Sequence, residues 1–115
     1  MKILLINPPF QRLKKIQKIF FPLGLGYLAS SLVKSGFTCK IYNAETPQEK
    51  LSESVDNKLL LARHQDYINA LRDDYHMVWK EVMATLQRSK PDVVGISVIT
   101  PTYGSALKIS QIVKE

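Results

Sequence analysis

The sequence predicts an α/β fold built on a parallel β-sheet, and three observations carry that prediction. Short runs of apolar and β-branched residues alternate with longer stretches whose apolar residues recur every three or four positions. The first run, Lys2-Ile-Leu-Leu-Ile-Asn7, has a wholly apolar interior, the mark of a strand buried on both faces. Strand and helix patterns then follow each other in strict succession, which calls for right-handed crossovers between parallel strands.

Each element has a local cause. Asn7-Pro8-Pro9 closes the first strand, because two prolines forbid both a helix and further ladder pairing. Phe21-Pro22-Leu23-Gly24 opens a helix with proline in its first turn. Leu25, Leu28, Ala29, Leu32 and Val33 recur at helical spacing, and Gly36 supplies the stop. Thr38 to Tyr42 alternates as a second strand ended by Asn43. Leu51, Val55 and Leu59 then suggest one amphipathic helix. Ile68, Leu71, Tyr75, Val78, Val82 and Leu86 suggest a second, uninterrupted by glycine or proline. Lys90-Pro91 ends this stretch, Asp92 to Val98 forms the third strand, and Ser105 to Glu115 begins a last helix through Ala106, Ile109, Ile112 and Val113.

These elements add up to a flavodoxin-like (Rossmann-like) three-layer domain with strand order second, first, third. Open sheets of this kind usually carry five or six strands. The chain therefore reads as the first half to two-thirds of such a domain, with its third strand on an unprotected edge.

Composition narrows the class. The chain has 115 residues, 45% hydrophobic and 23% charged, ordinary for a globular domain. Phe20 to Val33 is the longest apolar stretch, and proline, glycines and serines break it too often for a membrane span. The Met-Lys start runs straight into a strand pattern and reads as no signal peptide. A single cysteine, Cys39, makes no internal disulfide, fits a cytoplasmic location, and excludes a cysteine-ligated iron–sulfur cluster within this chain. Cys39 reads as a buried small hydrophobe in mid-strand.

The net charge of +6 gathers partly in Arg12, Lys14, Lys15 and Lys18. That segment reads as a solvated basic loop or as one that meets phosphates or another protein. No aromatic-rich nucleic-acid motif accompanies it, which argues against nucleic acid.

In open α/β sheets ligands lie beyond the carboxyl ends of the strands, where the winding reverses. Here that point falls between the first and third strands. It brings together Asn7-Pro8-Pro9-Phe10 and Ser97 with Thr100-Pro101-Thr102-Tyr103-Gly104. Both loops are stiffened by proline. Ser97, Thr100 and Thr102 offer uncharged donors and acceptors, and Tyr103 a flat apolar face with a polar tip. Such a surface suits a large, mostly neutral ligand better than a metal ion or a naked phosphate. The plainer reading is that Thr102 or Ser105 caps the helix and Pro101 ends the strand.

Other chemistries find no support. The chain has no Gly-Lys-Ser or Gly-Lys-Thr for a P-loop. Gly24-Leu25-Gly26 is part of a dinucleotide fingerprint, but far from the first strand, and reads instead as close approach of the helix start to a neighbour or ligand. His64 and His76 match no zinc spacing and read as surface residues. No nucleophile–base–orienter set can be assembled.

Five segments in order carry a resemblance. They are Lys2-Ile-Leu-Leu-Ile-Asn-Pro-Pro-Phe10, Phe21-Pro-Leu-Gly-Leu-Gly-Tyr-Leu-Ala29, Gly36-Phe-Thr-Cys-Lys-Ile-Tyr42, Pro91-Asp-Val-Val-Gly-Ile-Ser97 and Thr100-Pro-Thr-Tyr103. Together they resemble the N-terminal cobalamin-binding domain of cobalamin-dependent radical SAM enzymes, over nearly the whole chain except about Thr46 to Lys90. The resemblance implies a domain that holds cobalamin, with a downstream barrel that carries a [4Fe–4S] cluster and binds S-adenosylmethionine. That barrel would be its partner and the site of reaction, typically a radical methylation.

The wider cobalamin family places Asp-x-His-x-x-Gly after its first strand; Asn7-Pro8-Pro9-Phe10 stands there instead. The resemblance therefore implies cobalamin held without a histidine ligand. Ser97 matches the family's serine beside the nucleotide tail, and Thr100 and Thr102 would line the same groove. Two alternatives remain: a structural or interaction domain that no longer binds cobalamin, and a flavin-binding protein, which fold alone allows and no specific residue favours.

Overall fold

A computed structural model describes residues 1–14, 22–46 and 57–114, with 57–63 as backbone only. Three strands, β1 (Lys2–Asn7), β2 (Thr38–Asn43) and β3 (Val93–Ile96), form one parallel sheet in the order β2-β1-β3. Four helices accompany them: α1 (Leu23–Lys34), α2 (Asn57–Arg72), α3 (Met77–Ser89) and α4 (Tyr103–Val113). This is the flavodoxin-like arrangement the sequence predicts.

Side-chain alternation along β1 assigns the layers. Leu4 and Ile6 point into a core made by Tyr67, Ala70, Val78, Trp79, Val82 and Ile109 of α2, α3 and α4. Their register partners Val94 and Ile96 pack on the same cluster. Leu5, between them, faces the other side, where α1 packs on β1 and β2. There Leu5 lies over Gly95, whose missing side chain leaves it room: a Cβ at Gly95 would stand 2.8 Å from a Leu5 methyl.

The helical stretch divides differently from its apolar spacing. The run from Ile68 to Leu86 is two helices rather than one, because α2 ends at Arg72 and α3 starts at Met77. The Asp73 carboxylate accepts the Tyr75 N–H at 3.0 Å, a local bond that competes with helix continuation. His76 then caps α3, its Nδ1 accepting the Val78 N–H at 3.2 Å. Tyr75, expected on the apolar stripe, is 81% exposed. His76 is thus a structural cap, whereas His64 is exposed as the sequence predicts. Trp79 is buried and ties the hairpin together by donating its indole N–H to Ala70 O at 2.7 Å. The part of the first predicted helix built on Leu51 and Val55 lies outside the described residues.

Smaller differences follow the backbone. Gly36 takes φ +94° just after α1, the left-handed stop expected of it. The third strand is shorter than predicted, ending at Ile96, although the Ser97 N–H still reaches Ile6 O at 3.1 Å. Cys39 is only half-buried. No described helix is long and apolar enough to cross a membrane.

Candidate functional site

Parallel strands bring the carboxyl ends of β1, β2 and β3 to one rim. Asn7 and Asn43, the last residues of β1 and β2, and Ser97, just past β3, form a polar row across it. Ser97 Oγ donates to Asn7 Oδ1 at 3.3 Å, and Asn7 Nδ2 donates to Asn43 Oδ1 at 2.9 Å. Asn7 and Asn43 are register partners, so the row is a direct product of strand pairing. Every member is uncharged. Ser97 spends its proton on Asn7 and keeps lone pairs that can accept from a ligand.

The two proline loops meet beside this row. Ser105, fully buried in the first turns of α4, donates its hydroxyl to Pro9 O. Tyr67 of α2 donates to Pro101 O at 3.1 Å, while its ring meets Phe10 edge to face at 4.9 Å. Gly104 permits this packing: a Cβ there would lie 2.8 Å from a Leu71 methyl and 3.1 Å from the Tyr67 hydroxyl. Tyr67 carries no site signal in the sequence, and Ser105 reads there only as a cap. Their role depends on contacts 34 or more residues away.

The remaining predicted residues fall into distinct positions. Pro8 and Pro9 are buried and shape the loop from within. Thr102 is also turned inward; its hydroxyl accepts the Ile99 N–H at 3.0 Å and donates to Ile99 O at 3.1 Å. Thr102 therefore caps the 3₁₀ turn Thr100–Thr102. Thr100 and Pro101 are exposed, and Tyr103, at the start of α4, is 63% exposed. Val98 and Ile99 join it, at 52% and 66%. Gly24 is exposed, with nothing within 4 Å of a Cβ placed there, so it is not a point of close approach among the described residues. Gly26 is half-buried in α1.

The loop after β1 is held by charged residues that no local pattern connects. Glu45, just past β2, accepts three successive backbone N–H groups, from Phe10 at 2.7 Å, Gln11 at 3.1 Å and Arg12 at 3.0 Å. Arg12, expected in a solvated basic loop, is buried instead. Its guanidinium donates to Ala44 O at 3.1 Å and to the Glu81 carboxylate at 2.6 Å. Tyr42 donates to the other Glu81 oxygen at 2.7 Å. Burial, with Glu81 beside it, holds the Tyr42 hydroxyl well above the usual tyrosine range. Lys14 lies with its ammonium 4.9 Å from the Phe10 ring; Lys15 and Lys18 lie outside the described residues.

A cleft of about 380 Å³ between α3 and α4, lined by Trp79, Met83 and Lys108 among others, shares no lining residue with this rim. It brings no predicted site residue together.

With the rim described, the chain can be set beside known proteins. It is 31% identical over 99 residues to cytidylyl-2-hydroxyethylphosphonate methyltransferase of Streptomyces wedmorensis. The two share a related origin. The match takes in 85% of this chain but only 16% of that enzyme. No family model matches the chain. No solved structure matches it either.

Proposed function

We propose that this chain is a cofactor-binding module that holds cobalamin at the rim formed by β1 and β3, without a histidine ligand. The observation that carries the reading is the uncharged row Ser97–Asn7–Asn43 flanked by exposed Val98, Ile99 and Tyr103. A large ligand with a flat apolar body and amide edges needs that combination: apolar contact area with a few fixed polar partners. A phosphate or a metal ion would call for charge, and the row has none.

Asn7 and Ser97 would orient the ligand, while Ile99 and Tyr103 would cover part of its apolar surface. Bound cobalamin supplies a methyl-carrying metal centre; the chain supplies binding and orientation. The named activity of the related enzyme is a methyl transfer, which supports this assignment. On the same reading, the reacting partner is a radical SAM barrel that binds S-adenosylmethionine and a [4Fe–4S] cluster.

The test is direct. After mixing with hydroxocobalamin and desalting, the protein is expected to retain a corrin absorption band. Ser97→Leu is expected to lose the band while keeping its circular dichroism. His64→Ala is expected to leave the band unmoved, although the His64 ring lies 6.3 Å from that of Tyr67. A colourless wild-type protein would favour the alternative, a structural module that docks without cobalamin.

A further inference from the structure

The loop after β1 contains two prolines, yet proline alone does not fix where its following amides point. Phe10, Gln11 and Arg12 aim three consecutive N–H groups at one carboxylate, that of Glu45. Glu45 stands over thirty residues away in the chain, held just beyond β2. Its own N–H donates to Asn43 Oδ1 at 3.2 Å, the same oxygen that receives Asn7 Nδ2. One short segment, Asn43 to Glu45, thus fixes both ends of the loop: Asn7 through a side-chain amide, and Phe10 to Arg12 through a carboxylate. The Ala44 carbonyl adds a third tie by accepting from Arg12.

We infer that Glu45 is the positioning residue of the candidate cofactor loop, setting the conformation of Asn7–Phe10 through the backbone without touching the ligand. The inference rests on the reading of that loop as part of a cofactor site. The two carboxylate oxygens divide the work unequally. Oε1 accepts from Phe10 and Arg12, and Oε2 from Gln11. A glutamine placed with its carbonyl at Oε1 keeps two of these bonds and loses one. Alanine loses all three. A charged acceptor also makes each bond stronger than a neutral amide would.

The experiment measures amide hydrogen exchange residue by residue in the wild-type chain, Glu45→Gln and Glu45→Ala, alongside retention of hydroxocobalamin. Exchange at Phe10, Gln11 and Arg12 is expected to quicken at least about tenfold in Glu45→Ala, a loss of about 1.4 kcal/mol in local protection. Glu45→Gln is expected to fall between, and Leu4 to Ile6 to stay protected in both. Corrin retention should decline in the same order. Unchanged exchange at residues 10–12 in either variant overturns the inference, as does equal loss across β1, which would mark Glu45 as a general stabiliser. Should Glu45→Ala not fold, Glu45→Gln decides by the same readings. If the wild-type protein retains no corrin, the cofactor reading fails by itself, and the exchange pattern still judges Glu45.

Discussion

The two loops that meet at the rim are built in opposite ways. The loop after β1 is sunk into the fold: Pro8, Pro9, Arg12 and Leu13 are buried, and Glu45, Ser105 and Glu81 grip it from three other parts of the chain. Past Ser97, the loop after β3 is tied mainly to itself, through Thr102 and Ile99, and to α2 by a bond from Tyr67. It leaves Val98, Ile99 and Tyr103 largely in solvent. One loop is framework and the other is presented surface. The difference teaches that position at a switch point does not by itself give two loops equal roles. Burial and hydrogen bonding divide the labour between them.

Substitutions can break or sharpen that contrast. The largest effect is expected from Arg12→Ala, which strips the Glu81 carboxylate and the Ala44 carbonyl of a partner. Arg12 is buried and Glu81 half-buried, so removing the arginine costs about 3 kcal/mol, the low end for a buried pair, read as a lower urea midpoint at unchanged slope. Ser105→Ala should cost less, about 1–2 kcal/mol, because it leaves the Pro9 carbonyl without its buried donor. Replacing exposed Ile99 and Tyr103 together by serine should change stability by no more than about 0.5 kcal/mol, yet weaken corrin retention. Equal losses of stability in all three variants would erase the distinction between framework and surface.

The sequence made the surface easier to read than the framework. Strand order and the meeting of the loops follow from local signals: an apolar run stopped by Asn7-Pro8-Pro9, a β-branched run stopped before Pro101, and helices between. Glu45, Arg12 and Glu81 carry no such signal. The bonds that link them to one another span 33 and 69 residues, and a charged residue in a polar segment reads as solvated until the fold brings its partner close. The break between α2 and α3 lies between these cases. No glycine or proline marks it, but Asp73 two residues before Tyr75 is a turn signal that apolar spacing alone passes over. Thr102 shows the converse. A hydroxyl before a helix reads equally as ligand contact and as cap, and its bonds to Ile99 occupy it with the turn.

Trp79 is the sole tryptophan in the chain, and it sits sealed inside the corner between α2 and α3 with its indole N–H committed. Its fluorescence is therefore a single-site lamp for that corner and for the core cluster it shares with Tyr67 and Ile6. Emission shifts to longer wavelength when water enters between the two helices.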